Sequence, residues 1–330
     1  MDTTELFTLI LHTSFDSMGM LLNATLFYLV IFRTPVQLKL YSILIGNAAV
    51  TDFLACFFSF LIQQRIIPIG RSLIYFSNGP CRLIGTEFCY ITYCAMMSCQ
   101  THSLYSLLLS FSFRHYVLKR QHPTAQSLKL VILLISIPSM ILFVIACFAN
   151  GPAAELITIL VQKMPEYDIV EETISGHPSI MEWRTLTSIL LIATPVIPIL
   201  LAILMFRRRI MAILSKHSLS EHTEILHKQL LKALTYQSLL PGLFFLALLC
   251  YLCSQLDLYH HPFLESLTLS FLSCYPVLSP VMSLWYIRSY RQRITQYFPF
   301  ALRRISSHLT VEPSSRPVQR CFSVGIRQQK

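Results

Sequence analysis

The sequence predicts an all-α membrane protein, a bundle of seven transmembrane helices with its N-terminus outside and its C-terminus cytoplasmic. Three observations predict it. Hydrophobic residues make up 54% of the chain and charged residues only 13%, against about 25% charged in a water-soluble domain. Seven apolar stretches are each long enough to cross the hydrocarbon core as a helix, which takes about 20 residues. With the N-terminus outside, the cytoplasmic segments 33–39, 114–129, 207–232 and 288–330 hold 21 of the 26 Lys and Arg and only three acids, Glu221, Glu224 and Glu312. Cytoplasmic loops retain Lys and Arg, so the odd number of spans runs from outside to inside. The net charge of +10 therefore reflects topology and no nucleic-acid partner. Helices satisfy their own backbone polar groups in lipid, and barrel strands of about 10 residues fit these long runs badly.

The first span, 8–32, follows the acidic start Met1-Asp2-Thr3-Thr4-Glu5. A secretory leader would begin basic, so this span reads as an uncleaved anchor. Asn23-Ala24-Thr25 fits the glycosylation pattern but lies inside the span, where no surface loop exists to carry it. The second span, 40–62, holds Asn47 and Asp52. The external segment after it carries Arg65, Arg71 and Arg82 and no acid, an exception to the charge rule. The third span, 86–113, is polar on several faces, which implies a helix surrounded by protein. The fourth span is 128–149. A long acidic external loop follows at 150–184, with Glu155, Glu166, Asp168, Glu171, Glu172 and Glu182 against Lys163 and Arg184. Loops of that length are functional or mobile, and a lid over an external cavity is the functional reading.

The last three spans, 185–206, 230–253 and 263–287, are interrupted by Pro195 and Pro198, by Pro241, and by Pro276 and Pro280. Each proline removes a backbone hydrogen bond and kinks its helix. After residue 287, Tyr290, Ile294, Tyr297 and Phe298 recur at helical spacing with Arg288, Arg291 and Arg293 between them. This predicts an amphipathic helix along the inner leaflet, beginning near 288. The domain division is thus a seven-span body with its juxtamembrane helix over 1–294, then a basic, disordered cytoplasmic tail over 295–330.

Candidate functional residues fall in three groups. Asp52 is a carboxylate at mid-membrane depth, where ionisable groups are costly and functional by default. With Asn23, Asn47 and Ser279 it could bind water or an ion and stabilise one of two helix arrangements. A static hydrogen-bond network is the alternative. On the third span, Glu87, Tyr90, Cys94, Met97 and Thr101 follow one stripe from the external end, a ligand-binding face or ordinary helix packing. Glu87 could equally pair with Arg82. No metalloprotease, nucleophile-elbow, phosphate-loop or CxxC motif occurs, so no enzyme, cofactor or metal is expected. A disulfide from Cys81 would need Cys147, Cys250 or Cys253.

The stretches LLNATLFYLVIFRTPVQLKLYSILIGNAAVTDFLA, QQRIIPIGRSLIYFSNGPC, HSLYSLLLSFSFRHYVL and YPVLSPVMSLWYIRSYRQRI resemble the nematode serpentine chemoreceptors, in particular the delta class. That resemblance implies a G-protein-coupled receptor detecting odorant or pheromone-like small molecules in the plasma membrane of sensory cilia. Its partners would be a small-molecule ligand, the bilayer and a heterotrimeric G protein, met by Arg114, Arg207, Arg208, Arg209, Lys228 and Lys232. The chain departs from the general receptor pattern at Phe113-Arg114-His115, at Tyr275-Pro276, and in a long loop without cysteine. A transporter or ligand-gated channel is the competing reading, with Asp16, Asp52, Glu87 and Glu265 along a path. An opsin is excluded by the absence of Lys from span seven.

Overall fold

The computed structural model describes residues 3–120, 123–163, 165, 173–216, 232, 235–256 and 262–297. Helix α1, Thr3–Phe32, leads through a short 3-10 turn to α2, Lys39–Ile62. Strands β1, Gln64–Ile69, and β2, Ser72–Ser77, precede α3, Thr86–Lys119, and α4, Ala125–Cys147. The segment that follows contributes α5, Ala153–Lys163, and β3, Thr173–His177. Next come α6, Trp183–Ala193, and α7, Val196–Lys216, then α8, Pro241–Gln255, α9, Pro262–Tyr286, and α10, Arg288–Tyr297. The chain divides into two units, 1–291 and 292–330.

Six helical segments are long and apolar enough to cross a membrane: Leu9–Phe32, Lys39–Ile62, Ala125–Cys147, Trp183–Ile213, Thr235–Gln255 and Leu267–Tyr286. The seventh member of the bundle is α3, which is less apolar than the other six for a physical reason. It buries residues on most of its faces, from Cys89 to Arg114, so protein rather than lipid surrounds it and its serines, threonines and tyrosines find partners there. Its 34 residues span roughly 50 Å at the helical rise of about 1.5 Å per residue. The fifth span is divided at Pro195, between α6 and α7, because proline cannot donate to the preceding turn. The sixth is divided ahead of Pro241, where 238–240 form a turn. Pro276 and Pro280 stay inside one continuous helix.

The three strands were not expected. The arginine-bearing segment 63–82, read as a plain loop, is a hairpin turning at Gly70-Arg71 with Gly70 at φ +58°, a backbone region glycine enters without steric cost. The strand order β1-β2-β3 is antiparallel throughout, and Pro68 sits on the edge strand β1, the place a sheet tolerates it. The alternating faces have different neighbours. Ile66, Leu73 and Tyr75 join the core of the helix bundle. Ile67, Ile69, Ile74, Phe76 and Ile174 pack instead with Leu156 and Leu160 of α5. The sheet therefore lies between the bundle and α5 as a cover over one mouth. The long loop expected at 150–184 thus contributes a helix and a strand that pack with the hairpin of 64–77, a segment distant in sequence.

Lashings hold this cover in place. Gly151 N donates to Gly176 O at 2.8 Å, Ile180 N to Arg71 O at 2.7 Å, and Ser72 Oγ to Pro178 O at 2.7 Å. Cys81 and Cys89 form a disulfide with Cα atoms 5.1 Å apart, which corrects the expectation that Cys81 needs Cys147, Cys250 or Cys253. The 3-10 turn Pro80–Leu83 brings Cys81 back over the first turn of α3. Helix α10 begins at Arg288, and Tyr290 hydrogen-bonds Thr34 across 2.9 Å. Phe298, Pro299 and the tail lie outside the described residues.

Candidate functional site

Under the sheet, aromatic rings close the mouth of the bundle. Tyr75 of β2 sits 4.6 Å from Tyr93 and 6.5 Å from Tyr90, centroid to centroid. His177 of β3 meets the edges of both, at 5.6 Å from Tyr75 and 5.8 Å from Tyr90. The Tyr93 hydroxyl donates to that of Tyr75 at 3.3 Å. Tyr90 donates to Ala146 O at 2.7 Å, a carbonyl in the last turn of α4 that also accepts from Ala149 N at 2.9 Å. His177 Nδ1 donates to Ala149 O at 2.8 Å.

The expected ligand stripe is divided by this arrangement. Tyr90, Cys94 and Met97 lie together in the bundle core. Thr101 is buried but bonds back to Met97 O on its own helix at 2.8 Å. Glu87 is exposed at the mouth, and it is held by Asn150 and not by Arg82. Asn150 Nδ2 donates to both Glu87 oxygens at 3.2 and 3.3 Å, while Asn150 Oδ1 accepts from Gly176 N at 3.2 Å. One asparagine thus ties the top of α3 to the cover. Sequence reasoning missed Tyr75, Tyr93 and His177 as neighbours of the stripe, since two of them come from the sheet. The hairpin signal, β-prone runs flanking Gly70, was available.

Burial holds the His177 imidazole below its ordinary pKa, with the bond to Ala149 and the charge of Glu182 acting in the opposite sense. In an opened cover the ring would take a proton near its ordinary value of about 6.5. The closed state therefore binds fewer protons between that value and the lowered one. Closure is independent of His177 above about pH 6.5 and weakens as pH falls below it. The protection factor of the β3 amides, exchange divided by the intrinsic rate at each pH, should fall from pH 7.5 to 5.5, and His177→Phe should flatten that dependence. Equal protection factors at the two pH values in the unmodified chain would sink this expectation.

Deeper, the expected cluster of Asn23, Asn47, Asp52 and Ser279 is three separate contacts. Asp52 accepts from Ser103 Oγ at 2.5 Å and lies within hydrogen-bonding reach of Ser279, joining α2 to α3 and α9. Asn47 donates to Ser106 Oγ at 2.9 Å and reaches His102 Nε2 at 3.3 Å. Asn23 donates to Gly19 O at 2.9 Å and to Pro276 O at 2.8 Å. The latter carbonyl would normally accept from residue 280, which is proline and has no N–H. Asn23 supplies the donor that Pro280 lacks. Below Asp52, a cavity of about 30 Å³ lined by Tyr41, Ser103, Ser110, Gln237, Tyr275 and Ser279 has the polarity and room to hold ordered water. A further buried acid, Asp16, pairs with His12 at 3.2 Å and with Ser59.

At the opposite end from the sheet, Arg114 is buried, with its guanidinium 4.8 Å from the centre of the Tyr41 ring. Arg207 is half-buried and Arg208, Arg209 and Lys232 are exposed, while Lys228 lies outside the described residues. Gln237 Nε2 bridges Ser279 O at 3.1 Å and Ser283 Oγ at 3.0 Å, and Tyr236 stacks on Tyr286 at 4.7 Å. No group of three or more metal-ligating side chains occurs among the described residues.

The profile of the family described as serpentine type 7TM GPCR chemoreceptor Srd matches residues 8–296. Serpentine receptor class delta-19 of Caenorhabditis elegans is 33% identical over 299 residues, covering 88% of each chain. Class delta-18 of the same organism is 34% identical over 299 residues, covering 88% of this chain and 89% of that one. Class delta-2 is 34% identical over 283 residues, 83% of this chain and 78% of its own. The crystal structure of squid rhodopsin superposes with a TM-score of 0.63 at 14% identity, covering 95% of this chain and 93% of that one. At that identity the likeness establishes the seven-helix fold alone.

Proposed function

The chain belongs to the Srd family of serpentine seven-transmembrane chemoreceptors, and on that premise we propose that it detects a small odorant or pheromone-like molecule and signals to a heterotrimeric G protein. The family is one of multi-pass membrane receptors and not of enzymes. In this reading the sheet faces the exterior, the basic end faces the cytoplasm, and the receptor sits in the plasma membrane of sensory cilia.

The observation that carries the reading is the cover over the polar helix α3. Tyr90, Cys94 and Met97 lie directly beneath a sheet that touches the bundle through Ile66, Leu73 and Tyr75. A ligand admitted there reaches α3, a helix that packs against protein over most of its length. From α3, Ser103 leads to Asp52 and Ser106 to Asn47, and the proline-bearing α9 is tied to α1 through Asn23. A ligand shifts such a bundle only by binding one packing more tightly than another.

Arg207, Arg208, Arg209, Lys228 and Lys232 are the proposed partner surface. Arg114, buried against Tyr41, would join it once α2 and α3 move apart. Reversing all three charges at Arg207, Arg208 and Arg209 should abolish the second-messenger response, a loss of at least about tenfold, while antibody staining of intact cells still finds the receptor at the surface. Full signalling by that variant would remove this surface from the proposal.

A further inference from the structure

We propose that Gln100 is the polar anchor of the ligand site, reading a neutral small molecule with one oxygen function, such as a ketone or alcohol, through a carboxamide that has no other partner. The inference deepens the reading above, since it rests on the ligand lying along α3 beneath the sheet. Gln100 is 1% exposed. Both ends of its amide, Nε2 and Oε1, lack a hydrogen-bond partner among the described residues. A carboxamide can donate twice and accept twice, and leaving all of that capacity idle in a packed interior is costly. Buried polar groups are otherwise paired in native structures, so a wholly idle one calls for an explanation.

The surroundings restrict what could satisfy it. On a helix, residues three, four and seven apart share a face, so Gln100 shares its face with Tyr93, Met96, Met97, Leu104 and Leu107, all buried in the core. Aromatic rings and thioethers suit an uncharged, largely apolar guest. Buried charges among the described residues are Asp16, Asp52 and Arg114; Asp16 meets His12 and Ser59, Asp52 meets Ser103 and Ser279, and Arg114, against Tyr41, lies 14 residues or roughly 21 Å along α3 from Gln100 at about 1.5 Å per residue. A carboxylate or ammonium ligand would enter this interior with no counter-ion set aside for it, which is strongly unfavourable. A molecule with one carbonyl or hydroxyl oxygen needs only what an amide offers. Gln100 lies roughly 20 Å along α3 from Thr86, at about 1.5 Å per residue, so the guest must pass the cover of β2 and β3 to reach it.

The test uses the full chain in detergent and reads ligand-induced shifts in Tm, which need no G protein. The probes share one carbon chain: 2-heptanone, 1-heptanol, heptanoate, heptylamine and heptane. At least one of the two neutral oxygenated probes should raise Tm, and the other three should not. Gln100→Met, close in volume and apolar, should raise the Tm of the ligand-free receptor, because it removes an unpaired amide. It should also weaken binding of the active probe at least tenfold. A lower ligand-free Tm, unchanged affinity in Gln100→Met, equal binding of the charged probes, or no shift from either oxygenated probe would each overturn the inference. Met97→Ala separates the two levels of the argument. Binding lost in Met97→Ala but kept in Gln100→Met leaves the site beneath the sheet and rejects the anchor. Binding kept in both variants places the ligand elsewhere and rejects the site as well.

Discussion

Gly176→Ala should detach β3 from β2 and open the cover over the bundle. Gly176 has φ +145°, a conformation that costs a residue with a side chain about 1–3 kcal/mol. An added Cβ would also press on the Leu73 carbonyl oxygen of the neighbouring strand, with Ile74 Cα only 3.1 Å away. Overpacking of this kind costs about 1–3 kcal/mol more. Backbone atoms of a paired strand cannot step aside as a flexible side chain can, so the ladder must part. The amide of Gly176 bonds Asn150 and its carbonyl bonds Gly151, and both contacts go with it. Limited trypsin digestion should then cut after Arg71 in the hairpin turn far faster than in the unmodified receptor, and Tm should fall. A variant with unaltered Tm and an equally protected Arg71 would show that the sheet does not depend on the close approach at this glycine.

The second large effect is expected at Asp52. Its carboxylate is 1% exposed and accepts from hydroxyls on two other helices, Ser103 on α3 and Ser279 on α9. Asp52→Ala leaves those buried donors without their acceptor, at a cost of about 1–3 kcal/mol. It also removes a group that touches α3 and α9 together above the water-sized cavity. Asp52→Asn keeps the shape and one carbonyl acceptor, so it should retain most of the stability lost in the alanine variant. If Asp52 biases two packings of the bundle, Asp52→Ala should lose the ligand response by more than its fall in surface abundance explains. A response that merely tracks abundance would make Asp52 a structural strut. Thermal denaturation in detergent and surface-normalised second-messenger assays separate the two.

Much of the architecture was legible residue by residue. Hydropathy marks the spans because each residue's partition between lipid and water is a local property. The polarity of α3 marked it as a protein-surrounded helix on the same ground. The depth of Asp52 and Asn23 in their spans and the breaks at Pro195 and Pro241 were equally local. The hairpin at 64–77 was legible in principle, from β-prone runs about Gly70. The charges that mark it as a connecting segment say nothing of strand pairing.

Partners were not legible, because they depend on which distant segments pack together. Asn23 satisfies Pro276 O from 253 positions away, and nothing in either segment names the other. Sequence position offers Cys81 the partners Cys147, Cys250 or Cys253. Its partner is Cys89, which the 3-10 turn brings close and an apolar helical run conceals. The Tyr75, Tyr93 and His177 rings meet only because β3 returns across β2. Seven crossings, their charge asymmetry and the polar character of the third follow from residue chemistry alone, since transfer between water and lipid is decided one residue at a time. Only the tertiary structure decided which buried donors find acceptors and which, like the amide of Gln100, are left idle, because hydrogen bonding is settled pairwise and by geometry.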